Sequence, residues 1–125
     1  TNADLQGVQH LLKEKPDAYF VIKQKDGSQK KYFIEVFDWY FNRKKIEIRI
    51  NRYIKYFENN IWQVNFKTSF PEVILVVPNY ILRHDLNESI KKQLEKKRLN
   101  MIFHLSTWDE IKRLGINRNT LHKVK

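Results

Sequence analysis

Apolar residues return along this chain at two spacings, and the switches between them outline its elements. Leu5, Val8 and Leu12 recur three and four apart, which predicts a helix over Asp4 to Lys13. Ala18 to Lys25 is dense in Tyr, Phe, Val and Ile and reads as a strand. Asp26-Gly27 signals a hairpin, and Lys30 to Asp38 is the returning strand. Asn42 suits a helix cap, and Ile46, Ile50, Tyr53, Ile54 and Phe57 form one stripe of a helix from Arg43 to Glu58. Ile61 to Phe66 fits either a short strand or a loop. Glu72 to Val77 is almost all β-branched, as in a strand covered on both faces beside a parallel neighbour. Leu86, Ile90 and Leu94 mark a third helix ending near Arg98, and Met101 to Leu105 make a short strand. Thr107 to Glu110 is a capping box opening a last short helix that Gly115 stops. The order α-β-β-α-(β)-β-α-β-α is that of an α/β sandwich with a mixed sheet flanked by helices.

Alternation along the second strand places Tyr32, Ile34 and Val36 on one face and Phe33, Glu35 and Phe37 on the other. Glu35 thus enters a layer of phenylalanine, which costs free energy unless the carboxylate is paired or binds a cation. With the turn centred on Gly27 or just after it, Asp17 lies opposite Phe37 or Asp38, one pleat from Glu35. Paired strands are about 5 Å apart, so Asp17 and Glu35, with Asp38 as a third candidate, can offer hard oxygen ligands to Mg²⁺. Such an ion neutralises a scissile phosphodiester and activates a water for in-line attack. The usual companion is a lysine two residues after the glutamate, and that position is Phe37. Lys45 or Arg49, from the following helix, is the candidate replacement, with Lys45 as the stand-in base. The plainer alternatives are a turn residue at Asp17 and an edge-strand charge at Glu35.

Charge changes the picture next. The 125 residues carry 24 lysines and arginines against 14 acids, a formal charge of +10, which attracts polyanions. Much of it lies on the helix from Arg43, as Arg43, Lys44, Lys45, Arg49, Arg52 and Lys55. Lys45, Arg49 and Arg52, with Tyr56 continuing the line, flank the apolar stripe. Nucleic acid is the partner this implies; a merely solvated helix face is the alternative. Trp39-Tyr40-Phe41 is either a base-stacking platform or core. The stretch after Glu110 has no acid and accumulates Lys112, Arg113, Arg118, Lys123 and Lys125, a tail that either meets phosphate or frays.

Other chemistries find no support. His10, His84, His104 and His122 lack zinc spacing, and neither a phosphate loop nor GxGxxG is present. The chain has no cysteine, which excludes disulfides, thiolate metal sites and cysteine nucleophiles and fits a cytoplasmic location. Its longest apolar run, Val73 to Val77, is too short to span a bilayer, no signal peptide is visible, and no membrane partner is expected. Residues 1–125 read as a single domain, either complete or cut from a longer protein.

Pro16-Asp17, the hairpin, Glu35, the basic helix with Tyr53, and the strand Phe70-Pro71-Glu72-Val73-Ile74-Leu75-Val76-Val77-Pro78 resemble the replication-relaxation family of plasmids and conjugative elements. The resemblance covers roughly Lys15 to Ser106. It implies a PD-(D/E)XK nuclease-like, restriction-endonuclease-like domain of the kind that accompanies a winged-helix DNA-binding region, with Asp17 and Glu35 at its two acidic positions. The family often has an aspartate two residues after the glutamate, where this chain has Phe37 with Asp38 displaced by one. The implied function is DNA engagement in replication, relaxation or transfer of a mobile element, with a degenerate site. An active Mg²⁺-dependent endonuclease and an interaction domain recruiting a relaxase or replication initiator are the alternatives.

Overall fold

In a computed structural model, residues 17–39 and 41–125 are described. The helix expected over Asp4 to Lys13, and Pro16 and Tyr40, lie outside them. Two strands, β1 (Ala18–Lys23) and β2 (Gln29–Val36), form the hairpin. They are followed by α1 (Arg43–Glu58), α2 (Ile61–Phe66), β3 (Glu72–Val77), α3 (Tyr80–Lys97), β4 (Phe103–Thr107), α4 (Trp108–Leu114) and β5 (His122–Lys123). The sheet order is β1-β2-β3-β4-β5; β2, β3 and β4 run parallel and the two outer strands antiparallel to their neighbours. The protein is therefore a mixed α/β fold with a five-stranded mixed sheet flanked by helices.

The hairpin register differs from the expectation. The Gly27 amide donates to the Gln24 carbonyl and the Gln24 amide to the Ser28 carbonyl, so Gly27, at φ 87°, is the left-handed bulge after a tight turn. Asp26 Oδ1 fixes that turn by accepting from the Ser28 amide and hydroxyl. Lys23 thus faces Gln29 and Ala18 faces Ile34, which sets Asp17 across from Glu35 rather than from Phe37 or Asp38. Space around the Gly27 α-carbon is open, so only its backbone angle resists a side chain. Gly27→Ala is expected to cost about 1 kcal/mol in urea unfolding, with Gly27→Asn recovering part of it.

One sheet face is packed by α1, α2 and α3. Phe33 sits at its centre, with the rings of Tyr19, Tyr53, Trp62 and Phe70 between 5.3 and 5.7 Å away. Ile46, Ile50, Tyr53 and Ile54 are the buried stripe of α1, as their spacing requires, while Phe57 is half-buried and Tyr56, expected on the basic flank, is buried. Burial pushes the Tyr56 hydroxyl up to about 12. The segment Ile61–Phe66 is neither strand nor loop but the short helix α2, entered through Asn60 in the left-handed conformation. A single buried anchor, Trp62, decides its fate, and one anchor leaves no periodicity to read.

The second face carries a smaller cluster of Tyr32, Ile34, Ile74 and Val76, covered by Trp108 and Ile111 of α4 and by Leu121. The last strand before α4 lies two residues later than expected, at Phe103–Thr107. The basic tail does not fray: Thr120 is buried, its hydroxyl donates to the Gly115 carbonyl, and β5 pairs with β4. Glu110 accepts from Arg83 at 2.7 Å and lies 2.7 Å from His122 Nε2, which ties the tail to α3 and α4. Among the described residues no helix is long and apolar enough to cross a membrane.

Candidate functional site

The site lies where β1, β2 and α1 meet. Alternation on β2 delivers Glu35 to the layer that holds Phe33 and Phe37, and the residue is only 3% exposed. Asp17, just before β1, is exposed and its Oδ2 accepts from the Val36 amide at 2.7 Å. Cross-strand placement brings the two acids to one cleft of about 420 Å³, lined also by Val36, Phe37, Phe41, Lys45, Ile48, Arg49 and Arg52. The pairing of these acids, expected from the folding back of the hairpin, is what the structure displays.

The cation facing Glu35 is Arg49. Its Nε and Nη2 each donate to Glu35 Oε1 at 3.0 Å, and the Tyr53 hydroxyl donates to the same oxygen at 2.5 Å. Arg49 is one turn of α1 after Lys45 and Tyr53 one turn after Arg49, so the i, i+4 pair Lys45 and Arg49 lines the cleft while Tyr53, at i+8, meets Glu35 from the core side. Burial raises the Glu35 pKa, outweighing the Tyr53 hydrogen bond and the Arg49 charge that lower it, and the Asp17 charge adds to the rise. The Tyr53 hydroxyl is raised as well, first by burial and then by the neighbouring glutamate.

The other candidates are distributed around this pair. Lys45 is exposed and lines the cleft, so the expected approach of a basic side chain from the helix is made by Lys45 at the wall and Arg49 at the carboxylate. Asp38 is half-buried, and its Oδ1 accepts from the Phe41 amide at 3.2 Å, which closes a turn. Arg43 is engaged with Glu47 and Asp85. Lys44, Lys45, Arg52 and Lys55 are all exposed. At about 100° per residue they fall, with Ile48, in an arc of about 100° opposite the buried stripe of α1. Phe37 occupies the position where a nuclease would keep lysine, and it is core, 1% exposed and edge-on to Phe41 at 5.3 Å.

The divalent ion that the resemblance implies would have to be held by Asp17, Glu35 and Asp38. Mg²⁺ takes oxygen ligands in near-octahedral array. Glu35 Oε1 already receives three donors, two of them from a guanidinium, and Asp17 and Asp38 each hold a backbone amide. Among the described residues no group of three or more histidines and acids is placed to hold a metal ion. In this arrangement the residues do not fit Mg²⁺ while Arg49 keeps its place.

Sequence reasoning missed one feature and left a second open. The spacing puts Tyr53 on the apolar stripe and gives it no polar role, although a tyrosine one turn after a basic residue carries a hydrogen-bond donor into any acid the stripe covers. The pattern leaves Trp39 and Phe41 open between core and a stacking platform, and both are exposed, Trp39 at 66% and Phe41 at 42%. No family model matches this chain, and neither a curated protein nor a solved structure does.

Proposed function

We propose that the domain binds DNA through the outer face of α1, beside a nuclease-like carboxylate pair that has given up its metal. One observation carries the reading: α1 turns Arg49 inward to Glu35 and leaves Lys44, Lys45, Arg52 and Lys55 on its solvent side. The acids keep the layout of a two-carboxylate cleft, and a permanently charged guanidinium stands where a dissociable cation would be held. Arginine cannot act as a base at physiological pH, so Arg49 replaces the ion's charge and not its chemistry. By resemblance the domain is a PD-(D/E)XK-like member of the replication-relaxation group, with a restriction-endonuclease-like fold and a role in replication or transfer of a plasmid or conjugative element.

The competing reading is an Mg²⁺-dependent endonuclease using Asp17 and Glu35 with Lys45 as base. It is favoured by the cleft those three residues share. Two measurements separate the readings. Four phosphate contacts predict a slope of about −3.6 for the logarithm of DNA affinity against the logarithm of salt concentration. Supercoiled plasmid incubated with Mg²⁺ or Mn²⁺ is expected to stay intact. Nicking that is lost in Asp17→Asn would establish the enzyme instead, and a slope near zero would remove DNA as the partner.

A further inference from the structure

We infer that the cleft between β2 and α1 and the adjoining turn receive an unpaired nucleobase, so that the DNA bound is single-stranded. This rests on the DNA-binding reading above and names its substrate class. The cleft is not lined as a phosphate site alone would be. Val36, Phe37, Phe41 and Ile48 supply apolar wall between the cations, and Phe41 and Ile48 are 42% and 45% exposed. Trp39 lies next in sequence on the turn that the Phe41 amide closes onto Asp38, and it is 66% exposed. Apolar surface left in water beside four cations is complementary to a ligand with alternating rings and phosphates.

Duplex DNA does not present that ligand, because its ring faces are stacked inside and only their edges and the phosphates are offered outside. A single strand presents both. The carboxylates settle the orientation. Asp17 and Glu35 line the cleft and repel phosphate from it, and the exposed Asp17 carboxylate is the group that would accept a hydrogen bond from an N–H on a base edge, Glu35 being buried against Arg49 and Tyr53. Phosphates are thereby kept to Lys44, Lys45, Arg52 and Lys55, and a base enters between Phe41 and Ile48 with its neighbour on Trp39. Of the three tryptophans, Trp62 is buried and Trp108 has its indole nitrogen buried, which makes Trp39 the residue a stacked base would report on.

The test compares a labelled oligothymidine of about 16 nucleotides with the oligouridine of that length and with a duplex of equal length, at one salt concentration. The oligothymidine is expected to bind more tightly than the duplex and to quench tryptophan fluorescence, with the quench absent in Trp39→Phe. Trp39→Ala and Phe41→Ala are each expected to weaken oligothymidine binding at least about fivefold and to leave duplex binding within about twofold. Trp39 is exposed enough that its loss leaves the fold intact, and circular dichroism of the variant checks this. Duplex bound as tightly as single strand, with the aromatic variants neutral, overturns this inference and leaves the basic-helix reading standing. Tighter binding of oligouridine overturns the assignment to DNA. No binding to any of the three overturns the inference together with the reading beneath it.

Discussion

Glu35→Ala is expected to lower the free energy of unfolding by about 3 kcal/mol, while Glu35→Gln stays within about 1 kcal/mol of the parent. The reason is what each change leaves behind. Alanine removes the acceptor shared by the Arg49 guanidinium and the Tyr53 hydroxyl. Tyr53 is 3% exposed and cannot turn to water, so its hydroxyl is left without a partner at a cost of about 1–3 kcal/mol. Arg49, with 17% of its side chain accessible, recovers part of its hydration, which places the total at the lower end of the range for a broken buried pair. Glutamine keeps an acceptor of the same reach. A double-mutant cycle with Tyr53→Phe, read by urea denaturation, should show the two losses to be non-additive, because they remove one interaction twice.

The same residue carries a pH dependence with a definite sign. Its folded pKa lies above the ordinary 4.5, first because of burial. Its stabilising contribution is therefore complete below about pH 4.5 and is lost as pH rises through the folded value. Glu110 behaves in the opposite sense. Burial raises it, but His122, Arg83 and Thr107 together outweigh burial and hold it below 4.5, so its contribution is present above that value and is lost as pH falls. Relative to Glu35→Gln, the parent protein should be more stable at pH 4 than at pH 7, as measured by the urea midpoints of both proteins.

Period and capping made most of the fold legible. Asn42 and Thr107 cap α1 and α4 through the predicted side-chain bonds to Lys45 and Glu110, and β3 has the predicted bounds. Each of these depends on neighbours in sequence, which is why it can be read there. The failures needed distant information. Whether Gly27 sits inside the turn or as a bulge after it is a matter of one backbone angle, yet it shifts the partner of Asp17 by two residues or more. Strand β5 exists because Leu121 finds the second face of the sheet, a surface no local pattern announces. At the site, face alternation sufficed to bury Glu35. What answers its charge was the harder matter: Arg49 lies about 40° nearer the buried stripe than Lys45 around the helix, yet both flank it, and only the three-dimensional reach of Arg49 shows which one meets Glu35.

That separation makes the α1 face testable without disturbing the fold. Lys45→Glu with Lys55→Glu is expected to weaken duplex DNA binding about 200-fold at 50 mM salt and to bring its salt slope from about −3.6 to about −1.8. Each phosphate contact releases close to one counterion, and at 50 mM salt that release multiplies affinity by roughly 15 relative to 1 M, so two lost contacts give the square. Reversing Arg49 would be uninformative, because a carboxylate there would face Glu35 and Asp17 and the loss of structure would pass for loss of binding. Position 45 is the reverse case. It is three residues after the Asn42 cap, in the first turn of α1, where a glutamate favours both the capping geometry and the helix dipole. Lys55, in the last turn, costs the helix only a few tenths of a kcal/mol on reversal. The doubly reversed protein should therefore unfold within about 1 kcal/mol of the parent, and a fall in affinity of less than tenfold would place the DNA contact elsewhere than the outer face of α1.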